Sequence, residues 1–150
     1  MSWSARLTEL GLVLPPVATP AGAYVPAVCS GSLVFTAGQL PLVGGAVAAT
    51  GKLGAEIDTA LGQQLARTCV LNALAAVDNL VGLDAVVRVV KVVGFVASAP
   101  GFAAQPAVLN GASELLGTIF GEAGAHARSA VGVAELPLAA PVELELIVAI

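Results

Sequence analysis

Few side chains in this sequence are equipped for chemistry, and their spacing narrows what that chemistry is. There is one histidine, His126, and no Cys-x-x-Cys pair, so a zinc site has almost no ligands to draw on. A serine- or cysteine-based triad would have to recruit His126, which lies just before a strand-forming run and reads as a solvated loop histidine. Gly44-Gly45 precedes no strand-to-helix transition of the kind a phosphate loop needs. No metal and no cofactor is therefore expected. What remains is Arg128, at the head of a small, apolar run, and two carboxylates, Glu143 and Glu145, in the run that follows. A guanidinium in that position either forms a salt bridge with one of those carboxylates or offers a ligand carboxylate two parallel N–H donors.

These residues must be held by a framework, and hydrophobic periodicity outlines it. The first ten residues can form a short helix, and a Pro-rich, apolar arm follows to about Ala23. Tyr24 to Cys29 and Ser32 to Ala37 read as two short strands about a Ser30-Gly31 turn, the first an edge or irregular strand because Pro26 has no N–H. Pro41 to Gly54 is a loop or small hairpin. Asp58 can cap a helix to about Leu80, where Val70, Leu74, Val77 and Val81 recur at helical spacing. The β-branched run from Ala85 to Ala97 predicts a strand, and Gln105 to Phe120 a second helix with Pro106 in its first turn. Two more strands, Ala127 to Leu136 and Val142 to Val148, complete the order β-β-α-β-α-β-β. Two helices on one face of a mixed sheet make this an α+β fold, with residues 1–150 as one domain. In the last strand Val142, Leu144, Leu146 and Val148 alternate with Glu143, Glu145 and Ile147, so one face suits the helices and the other carries carboxylates. Cys29 and Cys69 read as core residues, Trp3 and Phe35 as packing, and Lys91 as a strand-edge charge.

Composition limits the partners. Apolar residues make up 57% of the chain and charged residues 11%, against roughly 25% charged in an ordinary soluble domain. The uncharged stretches from Leu10 to Gly51 and from Val92 to Ser113 are broken by prolines and glycines, so neither suits a membrane span. Subunit contact is the remaining outlet for that apolar surface, which predicts a homo-oligomer. A formal net charge of −4 with six scattered Lys and Arg leaves no basic stripe for nucleic acid. The first residues lack the basic and apolar regions of a signal peptide, and two unpaired thiols fit a cytoplasmic setting.

Two segments together resemble a known family. Tyr24 to Pro41 is similar to the amino-terminal signature of the reactive-intermediate deaminase (Rid, or YjgF-like) family, also labelled endoribonuclease L-PSP-like: a tyrosine-led strand, a glycine turn and a closing Gly38-Gln39-x-Pro41. Arg128 to Pro137, followed by Val142-Glu143-Leu144-Glu145, is similar to the carboxy-terminal signature, an Arg-Ser-led strand ending in Leu-Pro and then an acidic alternating strand. The resemblance spans the chain from about residue 20. It implies a chorismate-mutase-like fold, a homotrimer, and a pocket at each subunit boundary that binds a small carboxylate-bearing metabolite. In members that are deaminases, reactive enamines and imines such as 2-aminoacrylate are hydrolysed to keto acids and ammonia. By position, Arg128 would hold the substrate carboxylate and Glu143 would orient or activate water. Tyr24 and Asn110 would line the pocket, the match to Asn110 requiring one extra residue between it and Arg128. Ala37 stands where the family often has a hydroxyl residue, and Ala130 where it often has cysteine. These departures, and the stretch from Gly94 to Phe102, mark a divergent branch and suggest a bulkier or more apolar ligand. A hydrolytic deaminase and a non-catalytic binder or sensor of a carboxylate metabolite both fit. An endoribonuclease follows only from the family label, against the acidic charge and the single histidine.

Overall fold

The computed structural model describes residues 2–150. In chain order the elements are α1 (Trp3–Glu9), β1 (Ala27–Ser30), β2 (Leu33–Thr36), a hairpin of β3 (Leu42–Val43) and β4 (Ala46–Val47), α2 (Thr59–Val81), β5 (Arg88–Ala97), α3 (Gln105–Phe120), β6 (Ala127–Val133) and β7 (Val142–Ala149). The long helix α2 starts where Asp58 accepts the Leu61 N–H at 2.8 Å, satisfying one of the donors that a helix start leaves without a partner. It stops at Gly82, whose φ of +82° suits a residue without a Cβ. α3 carries a proline in its first turn, where a missing N–H costs nothing.

Five strands form one mixed sheet in the order β1-β2-β7-β5-β6. β5 and β6 run parallel, as the intervening α3 crossover requires, and the other neighbours are antiparallel. This is the α+β, chorismate-mutase-like arrangement, with α2 and α3 on one face. The alternation along β7 holds throughout: Val142, Leu144, Leu146 and Val148 are buried, and the residues between them are not. Val34 on β2 and Val89, Val92 and Val96 on β5 join them under Leu65, Cys69, Val70, Leu74 and Val77 of α2 and Leu109, Leu116 and Ile119 of α3. α1 docks at the far end, where Trp3 meets Phe120 edge to face and donates from its indole nitrogen to the Val86 carbonyl at 2.8 Å. The opposite face of the sheet carries Glu143, Glu145, Phe95 and Ile147 with Val28 (50% exposed), Val131 (44%) and Phe35 (37%). Among the described residues, no helix is long and apolar enough to cross a membrane.

The structure corrects several details. β1 begins at Ala27 rather than Tyr24, because Pro26 cannot donate to a ladder; its carbonyl still accepts the Ala37 N–H at 2.8 Å. β5 begins at Arg88, after a short 3-10 turn over Leu83–Ala85, and β6 stops at Val133 because its partner β5 ends opposite, at Ala97. Cys69 is a core residue but Cys29 is exposed, since β1 is an edge strand with only Ala27 buried. Phe35 is likewise exposed on the open face, and Lys91 lies on a strand flanked on both sides rather than at an edge.

Close packing of the helix layer depends on missing side chains. A Cβ on Gly111 would collide with the backbone of Gln63 in α2, and one on Gly94 with Leu109. Backbone yields less readily than a side-chain tip, so overpacking at Gly111 forces the helices apart. Gly111→Ala should therefore lower the free energy of unfolding by about 1–3 kcal/mol, read from urea midpoints, whereas Gly117→Ala, with open space about its Cα, should not destabilise the chain.

Candidate functional site

Arg128 enters the second position of β6 opposite Val92 of β5, which in turn lies opposite Leu146 of β7. Paired residues share a face, so Arg128 points to the helix side. There its Nη1 donates to Asn110 Oδ1 at 2.9 Å and to Ser113 Oγ at 3.1 Å, and its Nη2 to the Pro106 carbonyl at 3.4 Å. Asn110 and Ser113 are three residues apart on α3 and so lie on one helix face. His126 completes the group: its Nε2 is 2.9 Å from Ser113 Oγ and its Nδ1 2.6 Å from the Gly124 carbonyl. These residues line an open cavity of about 460 Å³ with Gly117, Gly121 and Gly124.

Glu143 belongs to a different cavity. It lies opposite Phe95, which lies opposite Val131, on the face away from the helices. Its carboxylate reaches Gly38 so closely that a Cβ there would overlap Oε1, which gives the Gly38-Gln39 pair a physical role. Gln39 fixes the approach through paired backbone bonds with Leu144, N–H to carbonyl at 2.7 Å one way and 3.1 Å the other. Tyr24, Val25, Val28, Thr36, Ala37, Gly38 and Glu143 line this cavity, of about 560 Å³. The Tyr24 ring is exposed, and its hydroxyl accepts the Ala21 N–H at 3.1 Å. Thr36, next to Ala37, uses its hydroxyl to accept the Leu146 N–H at 2.9 Å, covering a break in the β2–β7 ladder.

The residues singled out in the sequence thus fall into two groups on one chain. Arg128 and Asn110 meet; Tyr24, Ala37 and Glu143 meet; and β5 stands between the groups, which open on opposite faces. Ala130 packs half-buried against the core and lines neither cavity. No salt bridge links Arg128 to Glu143 or Glu145 among the described residues, because the next strand in sequence is not the next strand in the sheet. His126 does lie in the loop just before β6, but it is half-buried with both ring nitrogens engaged rather than solvated. Ser113 was not singled out from the sequence, although the i, i+3 spacing from Asn110 was visible there. No group of three or more His, Cys, Asp or Glu is placed to hold a metal ion among the described residues.

Residues 16–150 match the family model described as endoribonuclease L-PSP, and the chain belongs to that family, the one containing the Rid and YjgF-like proteins. A Trypanosoma cruzi relative named Protein TCP17 is 48% identical over 149 residues, covering 97% of this chain and 92% of its own. The crystal structure of Atu1372 from Agrobacterium tumefaciens, a protein of unknown function, is 45% identical with a TM-score of 0.90, covering 99% of this chain and 93% of that one. E. coli TdcF, crystallised with bound serine, is 28% identical with a TM-score of 0.66, covering 89% and 93%.

Burial raises the Glu143 carboxyl above the ordinary carboxylate range, and Glu145, two residues along the same face, adds to the effect. The folded chain therefore holds this proton more tightly than the unfolded chain. The resulting stabilisation is complete below the unfolded value of about 4.3 and is lost as pH rises through the higher folded one. Glu143→Gln removes the titration, so unfolding midpoints measured from about pH 4 to pH 8 should fall less steeply with pH in the variant than in wild type.

Proposed function

We propose that this chain hydrolyses reactive enamine and imine intermediates of amino-acid metabolism, at sites shared between neighbouring copies in a homotrimer. The observation that carries this reading is the separation of Arg128 from Glu143. One chain holds a cation suited to a carboxylate on the helix side and a half-buried carboxylate on the open side. A pocket using both needs a second copy. The exposed Val28, Phe35 and Val131 beside Glu143 are apolar surface that association would cover. The serine bound by TdcF is an amino acid with a carboxylate, the chemistry expected of a ligand for Arg128.

In this reading Arg128 grips the substrate carboxylate with two N–H donors and fixes the C=N carbon near Glu143. With its raised affinity for a proton, Glu143 takes one from water as the water oxygen bonds to that carbon. It returns that proton to the nitrogen, giving a carbinolamine, then takes the hydroxyl proton and passes it to the amine as the C–N bond breaks, and a keto acid and ammonia leave. A second reading, a carboxylate-metabolite binder without turnover, is favoured by the lining itself. Ala37 supplies no hydroxyl, and that of Thr36 is held by Leu146.

Release of ammonia and keto acid from enzymatically generated 2-aminoacrylate, and from bulkier imino acids, separates the two. Wild type should accelerate release, Arg128→Ala should lose the acceleration, and Glu143→Gln should keep ligand binding while turnover falls about 100-fold or more. No acceleration from a folded wild-type oligomer would contradict the deaminase reading and leave the binder.

A further inference from the structure

We propose that Ser113 and His126 form a nucleophile–base pair, and that the cavity they share with Arg128 and Asn110 hydrolyses short acyl esters. The site uses Arg128 but needs neither Glu143 nor a second copy of the chain, so it stands apart from the deaminase reading.

The direction of each hydrogen bond is fixed by what its ends can do. The Gly124 carbonyl can only accept, so His126 Nδ1 carries the proton of their 2.6 Å bond. In the neutral ring Nε2 then bears the lone pair, and the Ser113 hydroxyl, 2.9 Å away, donates to it. On its other side Ser113 Oγ accepts from Arg128 Nη1 at 3.1 Å. The serine oxygen therefore sits between a base oriented to take its proton and a fixed positive charge that favours its anionic form. This is the arrangement an activated hydroxyl nucleophile requires. The Gly124 carbonyl plays the orienting part, holding the imidazole in the tautomer that can act as base.

The remaining needs of acyl transfer are met in the same cavity. Arg128 Nη1 gives one hydrogen to Asn110 Oδ1 at 2.9 Å and the other to Ser113 Oγ, which turns the Asn110 amide so that its NH2 is the donor beside Ser113 for the oxygen that becomes negative. Ser113 is half-buried and lines the open cavity, so an ester can reach it. Gly117 and Gly121 also line that cavity. A Cβ at either would meet nothing within 4 Å, so a trough lies next to the serine where an acyl group fits.

Ser113 Oγ bonds to the ester carbonyl carbon as its proton passes to His126 Nε2. The bond from that carbon to the alcohol oxygen breaks, and His126 returns the proton to the leaving alkoxide. Water then attacks the acyl-serine, giving its proton to Nε2. The carboxylic acid leaves, and Ser113 recovers its hydrogen.

The test uses the full chain, treated with a fluorophosphonate, with the modified residue located by peptide mass spectrometry. Hydrolysis of p-nitrophenyl acetate is followed in parallel. The expected results are an adduct on Ser113 and a fall of about 100-fold or more in hydrolysis for both Ser113→Ala and His126→Gln. Ser30→Ala, at the distant β1–β2 turn, should hydrolyse like wild type. The labelling is read on the wild-type chain, so a variant that fails to fold does not obscure it. No adduct, an adduct on another residue, or hydrolysis unaffected by either substitution would overturn the proposal. No imine substrate enters the measurement, so failure here leaves the deaminase reading to its own assay.

Discussion

A residue on a β-strand faces one side of its sheet or the other, and the organisation of this protein's chemistry follows from that constraint. β5 runs between β6 and β7, so the register along β5 decides where both signature strands point their side chains. Val92 carries Arg128 and Leu146 with it to the helix side; Phe95 carries Glu143 and Val131 to the open side. The core requires Leu144 and Leu146 to face α2 and α3, and with period two that places Glu143 and Glu145 outward. A one-residue slip would bury the carboxylates and expose the leucines, so packing specifies the register strongly. The chemistry is attached to the same register.

Around this sheet the chain places glycine where two groups must nearly touch. Gly111 lets α3 rest on the backbone of α2, Gly94 admits Leu109 to the sheet surface, and Gly38 admits the Glu143 carboxylate. The first closes α3 on α2 and the second seats α3 on the sheet, and together they steady Asn110 and Ser113 beside Arg128. The third sets how deeply Glu143 sits, and with it the desolvation that raises its affinity for a proton. Packing and chemistry are in this sense one problem: the contacts that close the core also define both cavities.

Much of this was legible in the order of residues. The alternation in β7, the Asp58 cap and the limits of α3 are local signals, written within one or two turns or a few strand positions, and they hold. The misreadings share a cause in non-local geometry. Cys29 looks like core by residue type; Pro26 already marks its strand as an edge or irregular one, and the sheet order makes it an edge, which leaves Cys29 exposed. A salt bridge from Arg128 to Glu143 is plausible while consecutive strands are taken as neighbours, and impossible once β5 lies between them. His126 reads as solvated because its partner Ser113 is brought back to it by the α3–β6 connection, which no local pattern announces. The family signatures identified the residues worth following, and the strand order then distributed them between two faces.

The central claim is that Arg128 and Glu143 act together only across a boundary between copies. It can be tested by subunit complementation. Arg128→Ala and Glu143→Gln chains, each inactive toward 2-aminoacrylate alone, would be unfolded together in equal amounts, refolded and assayed. Random mixing in a closed oligomer should regenerate intact Arg128–Glu143 pairs at about a quarter of the sites, and that fraction of wild-type turnover should return. A mixture as inactive as either parent would contradict the account and require both residues to serve a site within one chain.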